Sequence, residues 1–436
     1  MKSTALRTAL ALAMGVALSI GAAPARAQES GVDAARDRAK AAPMSADAAL
    51  AYGRALRRSG RTTEALSELR RGLGASAGQA GPAALLQWEI ARTHIARHEF
   101  EPAMRMCRSM AKASGSANDA ASRVCAAEAH LLWRRGTEAE AELALVAKSK
   151  VVPADVDYSA KIATGRASEL ASRDAQAEAA YRDAIRLDGA RPAAHVLLGR
   201  VLQRLGKDGV PSLRKAVELD AHDPVAQLEL GRALPEGSAA ALAALERSVA
   251  DRPDAEALRA LAMGYLAASR TADAKRTVEA VLKLAPKDVD AHVAAGRLAL
   301  AEGRADEAIR EGELAAKLMP NAQAARLLVA DAWAKKGEID LAIEAYQAAF
   351  GLDHSDPTPL VNASAACLAA GRLTTAKAFS LRATKDFASS AASWSALGDV
   401  LAADHDLPGA KAAYETARKA RGADTAALAR KLARLE

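Results

Sequence analysis

Val196-Leu197-Leu198-Gly199-Arg200 returns in altered spelling as Ala294-Ala295-Gly296-Arg297-Leu298, and again as Ala396-Leu397-Gly398-Asp399. Each copy sets a glycine in the middle of an apolar segment with helical periodicity. Working outward, a small residue recurs at Gly53, Ala91, Ala129, Gly165, Gly199, Gly231, Ala262, Gly296, Ala330, Ser364 and Gly398. The step is 34 residues from Gly165 to Gly199 and at every step from Ala262 to Gly398. About seven residues after each small residue comes a glycine or a polar turn. Twelve residues after most of them stands an alanine: Ala65, Ala103, Ala141, Ala177, Ala274, Ala308, Ala342, Ala376 or Ala410. Many units then close on Asp or Pro, as at Leu187-Asp188, Leu284-Ala285-Pro286 and Leu352-Asp353.

The physical meaning of this pattern is close approach. A glycine or alanine on one helix facing an alanine on the next lets two axes meet with no bulky side chain between them. Leu56, Leu69, Leu202, Trp333, Tyr346 and Tyr414 are then left to fill the flanking holes. Neither helix buries its face alone, so stability requires stacked neighbours.

Composition agrees. Of 436 residues, 50% are hydrophobic but only 3% aromatic, and alanine, the best helix former, makes up the difference. That apolar fraction excludes a disordered chain. A mean hydropathy of −0.07 with one long apolar run excludes a polytopic membrane protein. Three cysteines exclude a disulfide-stapled mini-fold and most cysteine-based zinc modules.

The repeat resembles the tetratricopeptide repeat, which pairs two antiparallel helices in 34 residues. The last unit carries the resemblance best, with Trp394, Leu397, Gly398, Leu401, Ala410, Tyr414 and Ala417. The resemblance covers about eleven units from residue 46 to 420 and implies an all-α solenoid, a right-handed superhelix with first helices on its concave side. The expected organisation is a leader at 1–27, a linker at 28–45, an array at 46–205, shortened repeats at 206–253, a second array at 254–420 and a capping helix at 421–436. Gly206 to Pro211 and Leu234-Pro235-Glu236-Gly237 mark the irregular part. Two loops are expected at Gly72 to Gly81 and Ala113 to Asp119.

Met1 to Ala27 reads as a cleavable export signal. Lys2 and Arg7 precede an apolar stretch too short to span a membrane comfortably, and Ala25-Arg26-Ala27 is a small-x-small site for cleavage after Ala27. The leader has a bacterial form, so a periplasmic or secreted chain is expected. The formal charge of +7 is mild and no polybasic block exists, which speaks against nucleic acid as a partner.

No phosphate loop, nucleophile elbow or dense His/Glu cluster is present, so neither an enzyme nor a cofactor is expected. His94 and His98 have the spacing of a metal pair, but His98 falls in a turn and no third ligand is evident, so no metal is expected. His195 and His292 occupy a large-residue slot suited to packing. Cys107 and Cys125 lie on adjacent inward-facing helices and are either a disulfide or two core thiols. Cys367 has no partner.

In the family this sequence resembles, the residue after the first small slot points into the concave groove. Here those residues are Arg54, Arg92, His130, Arg166, Arg200, Arg232, Met263 and Arg297, followed by Asp331, Ala365 and Asp399. A row of arginines suits carboxylate or phosphate. The expectation is a binding scaffold for an extended acidic peptide or protein segment, or for an anionic polysaccharide. The resemblance suggests association with a cell-envelope complex; the alternatives are a structural accessory to an envelope enzyme or a polysaccharide export machine that uses its convex face. Arginines that merely pair with acids of neighbouring repeats would explain the same residues.

Overall fold

The computed structural model describes residues 24–76, 80–113, 119–149, 152–420 and 422–435. Among these residues there are twenty-four helices and no extended strand. They divide into two compact units, one ending at Pro253 and one starting at Asp254, with Glu236–Ser238 grouped with the second. Residues 1–23 of the expected leader at 1–27 lie outside the described residues, and residues 24–27 form the start of α1.

The first unit opens with α1 (Pro24–Ala41) and continues as six helix pairs: α2 and α3 (Ala46–Arg58, Thr62–Ala75), α4 and α5 (Ala80–Ala96, Phe100–Ala113), α6 and α7 (Ala120–Leu132, Gly136–Val146), α8 and α9 (Ala154–Leu170, Asp174–Leu187), α10 and α11 (Pro192–Arg204, Val210–Leu219), α12 and α13 (Pro224–Ala233, Ala239–Asp251). The second unit holds five pairs: α14 and α15 (Ala255–Ala267, Thr271–Leu284), α16 and α17 (Val289–Ala301, Ala305–Leu318), α18 and α19 (Gln323–Lys336, Ile339–Leu352), α20 and α21 (Thr358–Ala369, Leu373–Asp386), α22 and α23 (Ala391–Ala403, Leu407–Lys419). It closes with α24 (Thr425–Ala433), which buries Leu428 against the last pair.

Each unit is an all-α solenoid. Within each unit every helix packs on the next, and the first helices of most successive pairs also touch one another. Second helices do not meet one another to that extent, so the first-helix layer is the tighter side of each unit. The small residues make this possible. A Cβ built on Gly165 would lie 2.3 Å from Tyr181 Cε1, and one on Gly398 would lie 2.4 Å from Tyr414 Cε1. No side chain fits at those crossings, and the tyrosine ring fills the space a larger residue would have taken.

The turn within each pair passes through the left-handed region. It is carried by Gly60, His98, Arg134, Ser172, Gly206, Gly237, Ser269, Gly303, Gly337, Gly371 and His405. A non-glycine residue there is strained, and the position is repeated because the hairpin demands it.

Two expectations differ from the structure. Residues 28–45 are not a linker: α1 runs to Ala41 and buries Val32, Ala35 and Ala39, a helical spacing hidden among the charges of Asp33, Arg36, Asp37, Arg38 and Lys40. Gly72 is not in a loop but in α3, where it is buried because Ala49 and Leu86 approach its Cα too closely for a side chain. Residues 77–79 of that expected loop, and 114–118 of the other, lie outside the described residues. In the shortened part, α11 and α12 have 10 residues each.

Candidate ligand-binding face

The position after the small residue of the first helix is occupied by Arg54, Arg92, Arg166, Arg200 and Arg232 in the first unit and by Arg297 in the second. His130 does not belong to this row. The left-handed turn of the third repeat is Arg134, seven residues after Ala127, and the alanine that opens its second helix is the buried Ala139, while Ala141 is exposed. Ala127 and Ala129 are both fully buried alanines, so sequence spacing alone does not tell them apart. The residue equivalent to Arg92 is therefore Glu128. His130 packs beside the Phe100 ring at 5.6 Å, and burial holds its imidazole below the ordinary histidine range.

This acid completes a network across the first three repeats. Arg54 Nε donates to Glu89 Oε1 at 3.0 Å, and Arg57 Nη2 donates to Glu89 Oε2 at 3.1 Å. Arg92 grips Glu128 through Nη2–Oε1 at 2.6 Å and Nε–Oε2 at 2.9 Å, and its Nη1 stands 3.6 Å from Glu89. Trp88 Nε1 donates to the same Glu128 at 3.2 Å, and the Arg92 guanidinium lies 4.8 Å from the Trp88 ring centre. Glu89 is only 3% exposed. Burial pushes its carboxyl up, but Arg57, Arg92 and Arg54 together leave it below the usual carboxylate range. Glu128 follows the same balance, with Arg92 as the decisive partner. Arg92 itself is held well above the ordinary arginine value because Glu128 outweighs its own burial. Arg54 and Arg92 are thus committed to holding neighbouring repeats together.

Farther along, close pairing gives way at Arg166 and Arg200. Arg166 is exposed and makes no ion pair among the described residues. Arg200, 41% exposed, has Nε 3.5 Å from Glu229. Arg232 is exposed, and Arg297 is exposed with its guanidinium 3.9 Å from Met263 Sδ. The row then turns acidic. Tyr346 O–H donates to Asp331 Oδ1 at 2.6 Å and Tyr414 O–H donates to Asp399 Oδ1 at 2.8 Å. In the fourth repeat Tyr181 donates in the same way to Glu169, an acid one turn farther along its helix.

The remaining candidates are structural. Cys107 on α5 and Cys125 on α6 are joined by a disulfide with 5.5 Å between Cα atoms, and Cys367 is a buried free thiol. His94 Nδ1 meets Glu99 Oε2 at 2.6 Å while His98 sits in the left-handed turn, so the two do not converge. His195 Nε2 donates to Gly189 O at 3.0 Å and His292 Nε2 to Pro286 O at 3.0 Å. Gln227 and Trp394 make the same bond to Ala221 O and Ala388 O, at 2.9 and 2.8 Å. Three residue types, at one position in four repeats, thus tie the first helix to the carbonyl six residues before it, closing the turn between repeats. Trp133 packs edge-on to Phe100 at 5.0 Å. Among the described residues no three metal-ligating side chains converge.

No curated protein matches the sequence. Among solved structures the chain is similar to yeast Tom70, at 12% identity over 89% of this chain and 94% of that one, with a TM-score of 0.48. It is similar to a chain of the APC/C hetero-tetramer Cut9–Hcn1, at 15% identity over 88% and 82% of the two chains, with a TM-score of 0.48. It is also similar to a tetratricopeptide repeat protein from Parabacteroides merdae, at 15% identity over 64% and 98%, with a TM-score of 0.43. Residues 259–318 match the tetratricopeptide repeat family. The hairpin in that segment, with its small crossing residue, left-handed turn and buried alanine, recurs along both units, so the chain carries tetratricopeptide repeats.

Proposed function

We propose that the chain is an exported scaffold that binds an extended acidic segment of a partner protein along its first helices. The observation that carries this reading is the contrast along one row. Arg54 and Arg92 bond closely to Glu89 and Glu128, whereas Arg166 is exposed with no ion pair among the described residues and Arg200 stands 3.5 Å from Glu229; Arg232, on the next first helix, extends the row by one more exposed guanidinium. One such arginine adds little in water, but several on the tighter side of a solenoid act on one ligand together. Export is supported by the leader and by the Cys107–Cys125 disulfide, which suits an oxidising compartment such as the periplasm.

The test is the triple variant Arg166→Ala, Arg200→Ala and Arg232→Ala against a fluorescent Glu-rich peptide, titrated at low and high salt. Wild type binds with salt-dependent affinity, and the variant loses at least tenfold together with most of the salt dependence. Unchanged binding overturns the ligand role of the row. Alginate run in parallel separates a polysaccharide partner from a protein one, and sequencing the mature amino terminus for Gln28 tests export.

A further inference from the structure

Three repeats place a tyrosine sixteen residues after the small crossing residue: Tyr181, Tyr346 and Tyr414. Each donates its hydroxyl to a carboxylate on the first helix of its own pair, Glu169, Asp331 or Asp399. Two of these carboxylates also hold a cation from the element that follows. Arg204 Nη2 stands 3.0 Å from Glu169 Oε2. Lys431, from the capping helix α24, donates Nζ to Asp399 Oδ2 at 2.7 Å and lies 5.6 Å from the centre of the Tyr414 ring. The chain therefore shows how this carboxylate–tyrosine pair is used: it seats an ammonium or guanidinium arriving from the next helix.

Asp331 has the pair but not the cation. The following first helix, α20, offers Asn362, whose Nδ2 reaches Asp331 Oδ1 at 3.3 Å and brings no charge. Beside the carboxylate a cavity of about 470 Å³ opens, walled by small apolar residues that include Ala334, Ala365, Ala366 and Ala369. Lys335 lines the same cavity one turn along α18 but forms no ion pair with Asp331, and Arg297 of the preceding repeat acts on that carboxylate only through space. Burial raises the Asp331 carboxyl above its ordinary value, the mark of a charge without a full counter-ion. Asp399, with Lys431 on it, is the satisfied counterpart.

We propose that the cavity bounded by Asp331, Tyr346, Asn362 and Ala365 receives a lysine side chain of a partner protein, its ammonium bound to Asp331 as that of Lys431 is bound to Asp399. The alanine walls fit the methylene stem, and the carboxylate with the tyrosine hydroxyl fits the head. This site rests on the interaction-scaffold reading but not on the arginine row, and it names a basic rather than an acidic contact.

The experiment uses the full chain and an array of 15-residue peptides, each with one central lysine in varied surroundings and each paired with its Nε-acetyl-lysine twin. Wild type binds the best lysine peptides about tenfold more tightly than their acetylated twins. Asp331→Asn reduces that ratio to near one. Ala365→Lys, at an exposed wall position, supplies an ammonium in cis and also removes the discrimination, which keeps the test valid should the asparagine variant fold poorly. Equal binding of the twins by wild type, no lysine-peptide binding at all, or undiminished discrimination in either folded variant overturns the proposal. The scaffold reading is tested separately by the arginine variants and the acidic peptide.

Discussion

Arg92 holds Glu128 of the next repeat through two bonds, at 2.6 and 2.9 Å, while standing 3.6 Å from Glu89 on its own helix. The acid at 128 stands where the neighbouring repeats carry arginine, so the row is interrupted by its own counter-charge. Substituting Glu89→Ala removes the shared acceptor of Arg54, Arg57 and Arg92. The three guanidiniums still reach water, so the expected loss is about 2 kcal/mol, read as a lower urea midpoint.

The same acids set the response to pH. Glu89 and Glu128 titrate below their unfolded values, so the stability they contribute is present above about pH 4.3 and is lost as pH falls through the lower folded values. The double variant Glu89→Gln and Glu128→Gln is therefore less stable than wild type at pH 7 and less sensitive to acid below pH 4.3. Thermal melts across pH 3 to 7 check this.

Asp331 has the opposite sign. Its folded value is raised by burial, so it costs no stability below the unfolded value near 3.9 and costs most once pH exceeds the folded value. Asp331→Asn, which keeps the acceptor for Tyr346, is expected to gain on wild type as pH rises from 4 to 8. A melting temperature of the variant minus that of wild type that falls over that range would refute this.

Reduction of Cys107–Cys125 opens an 18-residue separation and should lower stability by about 3 kcal/mol in the chain-entropy account. Cys107→Ser with Cys125→Ser is the matching variant. Denaturant melts of the oxidised, reduced and serine forms give the comparison.

Gly165→Ala sets a methyl group against the Tyr181 ring, where the added atom would meet Cε1 at 2.3 Å. Overpacking of this kind costs about 1–3 kcal/mol, read by urea denaturation.

The third repeat shows where sequence reading ends. Repeats with glycine at the crossing are legible because only a tiny residue fits under Tyr181 or Tyr414, and the all-α solenoid follows from their spacing. Where Ala127 and Ala129 are both small and both buried, two registers score alike and only the position of the turn at Arg134 separates them. The helix α1 was hidden for a related reason: its buried stripe of Val32, Ala35 and Ala39 is narrow and is outnumbered by charged neighbours. The partners of the arginines could not be read at all. They depend on which first-helix acid of the next repeat comes within 3 Å, and Glu89 and Glu128 do so from non-equivalent positions. The carboxylate–tyrosine pairs left a readable trace, the fifteen-residue spacing of Asp331–Tyr346 and Asp399–Tyr414.

The hairpin turns have a consequence for how the array opens. His98, Arg134, Ser172, Ser269 and His405 occupy a backbone region that glycine enters without strain and other residues enter at a cost of about 1 kcal/mol. Glycine stands at the equivalent place in the remaining turns, so the modules differ in how much tension each carries at its bend. Local breathing, followed by hydrogen exchange, should therefore begin at those five bends, and glycine placed at any one of them should quiet its own module while leaving distant ones as they were.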